Sequence, residues 1–152
     1  MKIADWLLDN TKQLSNVDIE SARLDCLILL EDELEMPRAG ILAHTDQQLS
    51  PEQLLHLNQV MAQRIRHVPL AYIRGFVEFY GRRFVVTKNV LVPRPETEIM
   101  IELLKKISPT STIIDTGTGS GALAVTAKHE FPETTVYGID IDHDCLAVAA
   151  RN

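Results

Sequence analysis

Residues 112–121 read Thr112-Ile-Ile-Asp115-Thr-Gly117-Thr-Gly119-Ser-Gly121, a β-branched run that breaks into alternating glycines before an alanine-rich segment begins. The pattern predicts a strand, a tight turn and the start of a helix. Glycine tolerates positive φ and leaves room for another molecule against the main chain, and the first turn of a helix carries N–H groups without intrahelical partners. A turn of this composition suits a nucleotide-like ligand. Downstream, Thr135-Val-Tyr-Gly-Ile-Asp140 reads as a second strand ending in a carboxylate, at the spacing of about 20 residues where such folds place the group that holds a ribose.

Gly117, Gly119 and Ala122 also satisfy the loose dinucleotide pattern G-x-G-x-x-G/A, so spacing alone does not select the ligand. Asp115 is more selective. It ends the strand two residues before the first glycine, where a pyrophosphate would meet its negative charge at a cost. S-adenosylmethionine has no phosphate and carries a cationic sulfonium and an ammonium, which a carboxylate attracts. The cofactor expected is therefore S-adenosylmethionine, and Thr118, inside the turn, joins the glycines among its candidate contacts.

A chain of 152 residues with 45% hydrophobic content has enough apolar material for a real core, in one domain or two small ones. Cys26 and Cys145 are far apart and each falls in a helical pattern, which fits a reduced, cytoplasmic setting rather than a disulfide or a zinc site. Asp5, Asp9 and Asn10 interrupt the apolar Trp6-Leu7-Leu8, and no run is long enough to span a membrane. The net charge of −6 argues against stable nucleic-acid binding. It is unevenly spread: residues 1–36 hold nine acidic and three basic side chains, whereas residues 64–94 hold Arg64, Arg66, Arg74, Arg82, Arg83, Lys88 and Arg94 against Glu78. That second segment either faces an anionic partner or is simply solvated.

The first seventy residues have helical periodicity. Ile3, Trp6, Leu7 and Leu14 form one stripe; Asp18 is the expected N-cap of a second helix carrying Ala22, Cys26, Leu27, Leu30 and Leu34. After Pro37 comes a short helix near residues 38–43, then Ser50-Pro51-Glu52-Gln53 opens a helix that Leu54, Leu57, Met61, Ile65 and Val68 continue. His44, His56 and His67 are isolated, and no catalytic or metal-binding constellation is present. Residues 73–79 and 84–86 predict a β-hairpin about Tyr80-Gly81-Arg82-Arg83. A helix is expected over residues 96–107, its Ile99, Met100, Leu103, Leu104 and Ile107 covering one face of a sheet begun by Ile113 and Ile114. Beyond the glycine turn, a helix over 122–130, the second strand and a helix capped by Asp142 follow.

Pro69-Leu-Ala-Tyr-Ile73, Gly75 with Glu78-Phe79 and Gly81, Val90-Leu-Val-Pro-Arg-Pro-Glu-Thr-Glu98 and Asp115-Thr-Gly-Thr-Gly-Ser-Gly121 occur in this order. Together they resemble the N-terminal half of the HemK/PrmC family, along essentially the whole chain. The resemblance implies an α/β protein with an N-terminal all-α domain: a helical substrate-recognition bundle (1–70), a β-hairpin linker (71–92) and the start of a Rossmann-like class I methyltransferase domain (93–152). It implies S-adenosylmethionine-dependent methylation of the side-chain amide of the glutamine in the Gly-Gly-Gln motif of peptide chain release factors. Gly117, Gly119 and Gly121 would line the methionine part of the cofactor, with Asp115 near its cationic end. Asp140 would accept from the ribose hydroxyls, and Arg94, Pro95 and Thr97 would border the pocket from the other side.

The family's catalytic Asn-Pro-Pro-Tyr, which holds the glutamine amide and aims its nitrogen at the methyl group, is not among these residues. With only two predicted sheet strands, the chain reads as a piece of a longer enzyme, inactive alone. Two other readings stay open. One is an adenine amino-group methyltransferase of the same fold acting on nucleic acid, which the basic hairpin permits. The other is a non-catalytic module that binds a release factor or the ribosome.

Overall fold

Apolar residues at helical spacing build the first of two units, Met1–Ile73 and Arg74–Asn152, in the computed structural model, which describes residues 1–152. Its helices are α1 (Ile3–Ser15), α2 (Ala22–Leu34), α3 (Arg38–Ala43) and α4 (Pro51–Ile65). Helix α1 buries Ile3, Trp6, Leu7 and Leu14, and α4 buries Leu57 and Met61. Helix α2 buries residues around its circumference, including Asp25, Cys26, Leu29 and Leu30, because α1, α3 and α4 all pack against it. Burying one Leu or Ile side chain contributes about 1.5–3 kcal/mol, and Ile3, Leu14, Leu30, Ile41 and Leu57 are completely buried, so this cluster dominates the unit's stability.

The start of α4 follows the predicted capping box. Ser50 Oγ accepts from the Gln53 N–H at 3.1 Å, and the Ser50 N–H donates to Gln53 Oε1 at 2.8 Å. The start of α2 does not follow prediction. Asp18 is not its cap; it adopts φ 57° in a reversal that carries the buried Ile19 back onto the core, and Ser21 is the N-cap, without a side-chain bond. Asp tolerates that left-handed conformation better than most residues. Helix α4 likewise stops at Ile65 rather than running through Val68, because His67 takes φ 62° and turns the chain.

Residues 70–74 form a short helix, α5 (Leu70–Arg74), where the hairpin's first strand was expected to begin at Ile73. The Tyr72 and Ile73 N–H groups both donate to the Pro69 carbonyl, so proline's fixed φ starts a helical turn. In the second unit β1 (Phe76–Phe79) pairs antiparallel with β2 (Arg82–Val85), in the register Phe76↔Val85 to Phe79↔Arg82. The two turn residues, Tyr80 (φ 52°) and Gly81 (φ 70°), supply the paired positive φ values of a tight hairpin turn. Phe79 and Phe84 meet edge to face, 6.1 Å between centroids, and share a small core with Ala122.

After a single 3₁₀ turn at Pro95–Thr97 come α6 (Glu98–Ile107), β3 (Thr112–Thr116), α7 (Ala122–Glu130), β4 (Thr135–Ile139) and α8 (His143–Ala149). Strands β3 and β4 are parallel, Thr112↔Thr135 through Thr116↔Ile139, with α7 packed on both. This is one β-α-β unit of the Rossmann-like kind, and with the helical first unit it gives the expected α/β class with an N-terminal all-α part. Helix α6 departs from expectation. It packs on α7, and its completely buried residue is Ile101, outside the expected stripe; Ile99, Met100, Leu103 and Ile107 are exposed, although Met100 and Leu104 line a cavity with Ile113 and Ile114. Periodicity identified the helix's apolar side and its neighbours Ile113 and Ile114, but not that the stripe would stay largely exposed there.

Candidate cofactor site

Strand β3 ends by delivering Asp115 to the glycine turn, and the end of β4 fixes that turn. The Gly117 and Thr118 N–H groups both donate to the Ile139 carbonyl, at 2.8 and 2.9 Å. The Gly119 N–H donates to Asp140 Oδ2 at 2.9 Å, while the Asp142 N–H donates to Asp140 Oδ1 at 3.0 Å. These two backbone donors, Asp142 first and then Gly119, hold the Asp140 carboxyl below the usual carboxylate range. Thr118 Oγ1 donates to Asp115 Oδ2 at 2.7 Å, and the Gly121 N–H closes the turn on the Thr118 carbonyl. The turn's geometry is thus set by protein groups.

The three glycines have positive φ (76°, 54° and 79°) and yet differ in what surrounds them. A Cβ on Gly117 or Gly119 would have no neighbour within 4 Å, whereas one on Gly121 would lie 3.1 Å from the Ala149 Cβ. The first two open onto space that a ligand can use; the third admits α8 against the start of α7.

Phe79, Arg94, Thr97, Asp115, Gly117, Thr118 and Gly119 line one cavity of about 140 Å³, together with Ser120, Leu123 and neighbouring residues of the Leu91–Arg94 approach. The structure therefore brings the Pro-Arg-Pro-Glu-Thr-Glu stretch and the glycine turn to the same place. Pro95, Gly121 and Asp140 do not line it. Gly121 borders a larger groove of about 490 Å³ between α7 and α8, with Leu146 and Ala149. Asp140 sits half-buried behind Gly119. The cavity wall carries the Asp115 carboxylate and the Arg94 guanidinium, and beside Asp115 runs unobstructed main chain at Gly117 and Gly119. No group of three or more His, Cys, Asp or Glu side chains is placed to hold a metal ion. Of the isolated histidines, His56 pairs with Glu33 and the His44 ring bonds the Gly40 carbonyl.

Several residues of this region escaped the sequence reading. Gly138 lies opposite Asp115 in the sheet, and a Cβ there would come within 2.7 Å of Thr118 Oγ1, so its lack of a side chain lets Thr118 reach the carboxylate. A glycine inside a strand is itself a signal of close approach. Phe79 gives the cavity a wall from the hairpin, and Asn152 bonds both the hairpin and the turn. Nothing in the local sequence marks Asn152.

Residues 5–75 match the family described as the PrmC N-terminal domain, and residues 94–152 match the family described as ribosomal protein L11 methyltransferase (PrmA). Among curated proteins, the chain is similar to a release factor glutamine methyltransferase of Koribacter versatilis, 37% identical across 93% of this chain and 51% of the relative. A release factor glutamine methyltransferase of Geobacter sulfurreducens is 36% identical, across 99% of this chain and 52% of the relative. A bifunctional methyltransferase of Rickettsia typhi is 33% identical, across 96% of this chain and 32% of the relative. The chain spans about half the length of the release factor glutamine methyltransferases it matches. The helical unit, the hairpin and the glycine turn follow one another in the order expected of that group: residues 5–75 carry the PrmC N-terminal domain, and the chain is similar to the release factor glutamine methyltransferases along about half of their length.

Proposed function

We propose that this chain supplies the recognition part and a share of the cofactor site of an S-adenosylmethionine-dependent protein-glutamine methyltransferase. Its target would be the side-chain amide of the glutamine in the Gly-Gly-Gln motif of peptide chain release factors. The observation that carries the reading is the convergence of Arg94 and Thr97 with Asp115, Gly117, Thr118 and Gly119 on one cavity. Asp115 would face the cationic end of the cofactor, and Gly117, Thr118 and Gly119 would run along its methionine part. Asp140 accepts one bond on each oxygen, from Gly119 of the turn and from Asp142; a carboxylate accepts about four hydrogen bonds, which leaves capacity for ribose hydroxyls. Pro95 would fix the course of the segment that presents Arg94 and Thr97, and Gly121 the approach of α8. S-adenosylmethionine supplies an electrophilic methyl group when bound. At about 140 Å³ the cavity is smaller than the roughly 300 Å³ at which small-molecule sites begin, so it would hold only part of the cofactor.

Residues 1–70 would recognise the release factor and residues 71–92 would connect that domain to the methyltransferase part, residues 93–152. Translation termination as the setting implies a cytoplasmic protein; no helix is long and apolar enough to cross a membrane. Asn-Pro-Pro-Tyr is not among the 152 residues, so cofactor binding rather than methyl transfer is the activity expected of this chain alone. The nucleic-acid reading loses support from the hairpin's own contacts. Arg82 is engaged with Glu130 at 2.8 Å, and Arg74 and Arg83 both lie over the Phe76 ring, at 4.2 and 3.4 Å from its centroid.

Equilibrium titration of radiolabelled S-adenosylmethionine against the chain, Asp115→Ala and Asp140→Ala tests the assignment. Binding should weaken at least tenfold in each variant. Unchanged affinity in both would overturn the site.

A further inference from the structure

The carboxamide of Asn152 makes three bonds, each of which its chemistry specifies. The Val85 N–H donates to Asn152 Oδ1 at 2.7 Å, and Asn152 Nδ2 donates to the Val85 carbonyl at 3.0 Å and to the Ser120 carbonyl at 2.8 Å. Carbonyl oxygens only accept and a backbone N–H only donates, so one orientation of the amide satisfies all three. The Val86 N–H points across the hairpin to Gly75, so the Val85 groups face the other way, along the free edge of β2. There the side chain of Asn152 pairs as the peptide unit of an adjoining strand would.

The same residue stands where three elements meet. Its own N–H bonds the Ala149 carbonyl at the end of α8, whose Ala149 Cβ is the atom closest to a Cβ built on Gly121. Ser120, whose carbonyl Asn152 holds, is buried and lines the cavity, as does Phe79 of the hairpin. One side chain thus couples a cavity wall carried by the hairpin to the turn that carries Gly117 and Gly119.

We propose that Asn152 is a positioning residue for the cofactor site: it locks the free edge of the hairpin to the glycine turn, fixing the separation of the two walls between which the ligand enters. The proposal rests on the cofactor reading above, and amide exchange tests it without ligand. In Asn152→Ala the Val85 amide should exchange at least tenfold faster, with accelerated exchange at Gly117, Thr118 and Gly119, while Val77 and Phe84 within the hairpin keep their protection. S-adenosylmethionine affinity should fall about tenfold. Asn152→Asp keeps the acceptor for Val85 N–H but loses both donors and sets a charge against two carbonyls, so it should be at least as impaired as alanine; Asn152→Gln, which keeps the carboxamide, should recover part of both readouts.

An unchanged Val85 amide in Asn152→Ala overturns the proposal. So does faster Val85 exchange with no change at the turn or in affinity. If alanine exposes Val77 and Phe84 as well, Asn152→Gln decides: recovered protection with recovered affinity supports positioning, and recovered protection without affinity overturns it. Failure of the unaltered chain to bind S-adenosylmethionine, with the exchange pattern as expected, would instead sink the cofactor reading.

Discussion

The Gly119 N–H donates to the Asp140 carboxylate at 2.9 Å, tying the turn after the first parallel strand to the end of the second. Asp140 titrates below the usual carboxylate range because the Asp142 and Gly119 N–H groups bond its charged form. A carboxyl with a depressed folded-state pKa stabilises the fold above its unfolded pKa, and that contribution disappears as pH falls through the folded value. The second unit should therefore lose stability below about pH 4, where an unperturbed Asp begins to protonate. Glu130 works in the same direction, held down by Arg82 and then Lys105. Thermal melts from pH 7 to pH 2 should show a shallower acid limb for Asp140→Asn than for the unaltered chain; superimposable limbs would contradict the linkage.

Gly138→Ala places a Cβ about 2.7 Å from Thr118 Oγ1 and 3.1 Å from its Cβ. Thr118 is buried and bonded to Asp115, so it has little room to retreat. Overpacking of this kind costs typically about 1–3 kcal/mol. Denaturant unfolding should show that loss, and S-adenosylmethionine binding should weaken as Thr118 leaves Asp115. Pairing it with Thr118→Ala should restore stability more than affinity.

Asp25 and Arg64 join α2 to α4 through Arg64 Nε and Asp25 Oδ2 at 2.6 Å, with side-chain exposures of 6% and 14%. Removing one partner strands the other charge in a buried setting, which typically costs about 3–5 kcal/mol. Asp25→Ala should destabilise the first unit by about that amount, whereas replacing both residues with apolar side chains of similar size should recover most of it. A double-mutant cycle read by chemical denaturation checks this; additive losses would show that the pair is not coupled.

Gly81→Ala isolates backbone strain. A Cβ there would meet nothing within 4 Å, yet φ is 70°. The left-handed conformation costs a non-glycine residue about 1–2 kcal/mol, and Tyr80 already accepts it, with its N–H bonded to Glu98 at 2.8 Å. Hairpin stability, followed by exchange at Val77 and Phe84, should fall by that amount. Gly81→Asn should fall less, since Asn tolerates the conformation better.

The sequence by itself determined whatever depends on short-range chemistry. The Ser50 capping box, the helices with strong periodicity, and the strand, turn and helix at residues 112–130 were all legible, because each rests on residues a few positions apart. Tertiary structure decided the rest. The apolar stripe of α6 marked its greasy side, but the residue the fold buries completely is Ile101, outside that stripe. Asp18 had the composition of a cap, but burial of Ile19 required it to turn the chain instead. The three glycines look alike in sequence; the position of α8 made Gly121 a packing glycine and left Gly117 and Gly119 open. Above all, Asn152 reaches Val85 across 67 residues and Ser120 across 32. A side-chain amide can copy a strand only once the fold has brought a strand edge to it, and no local pattern encodes that meeting.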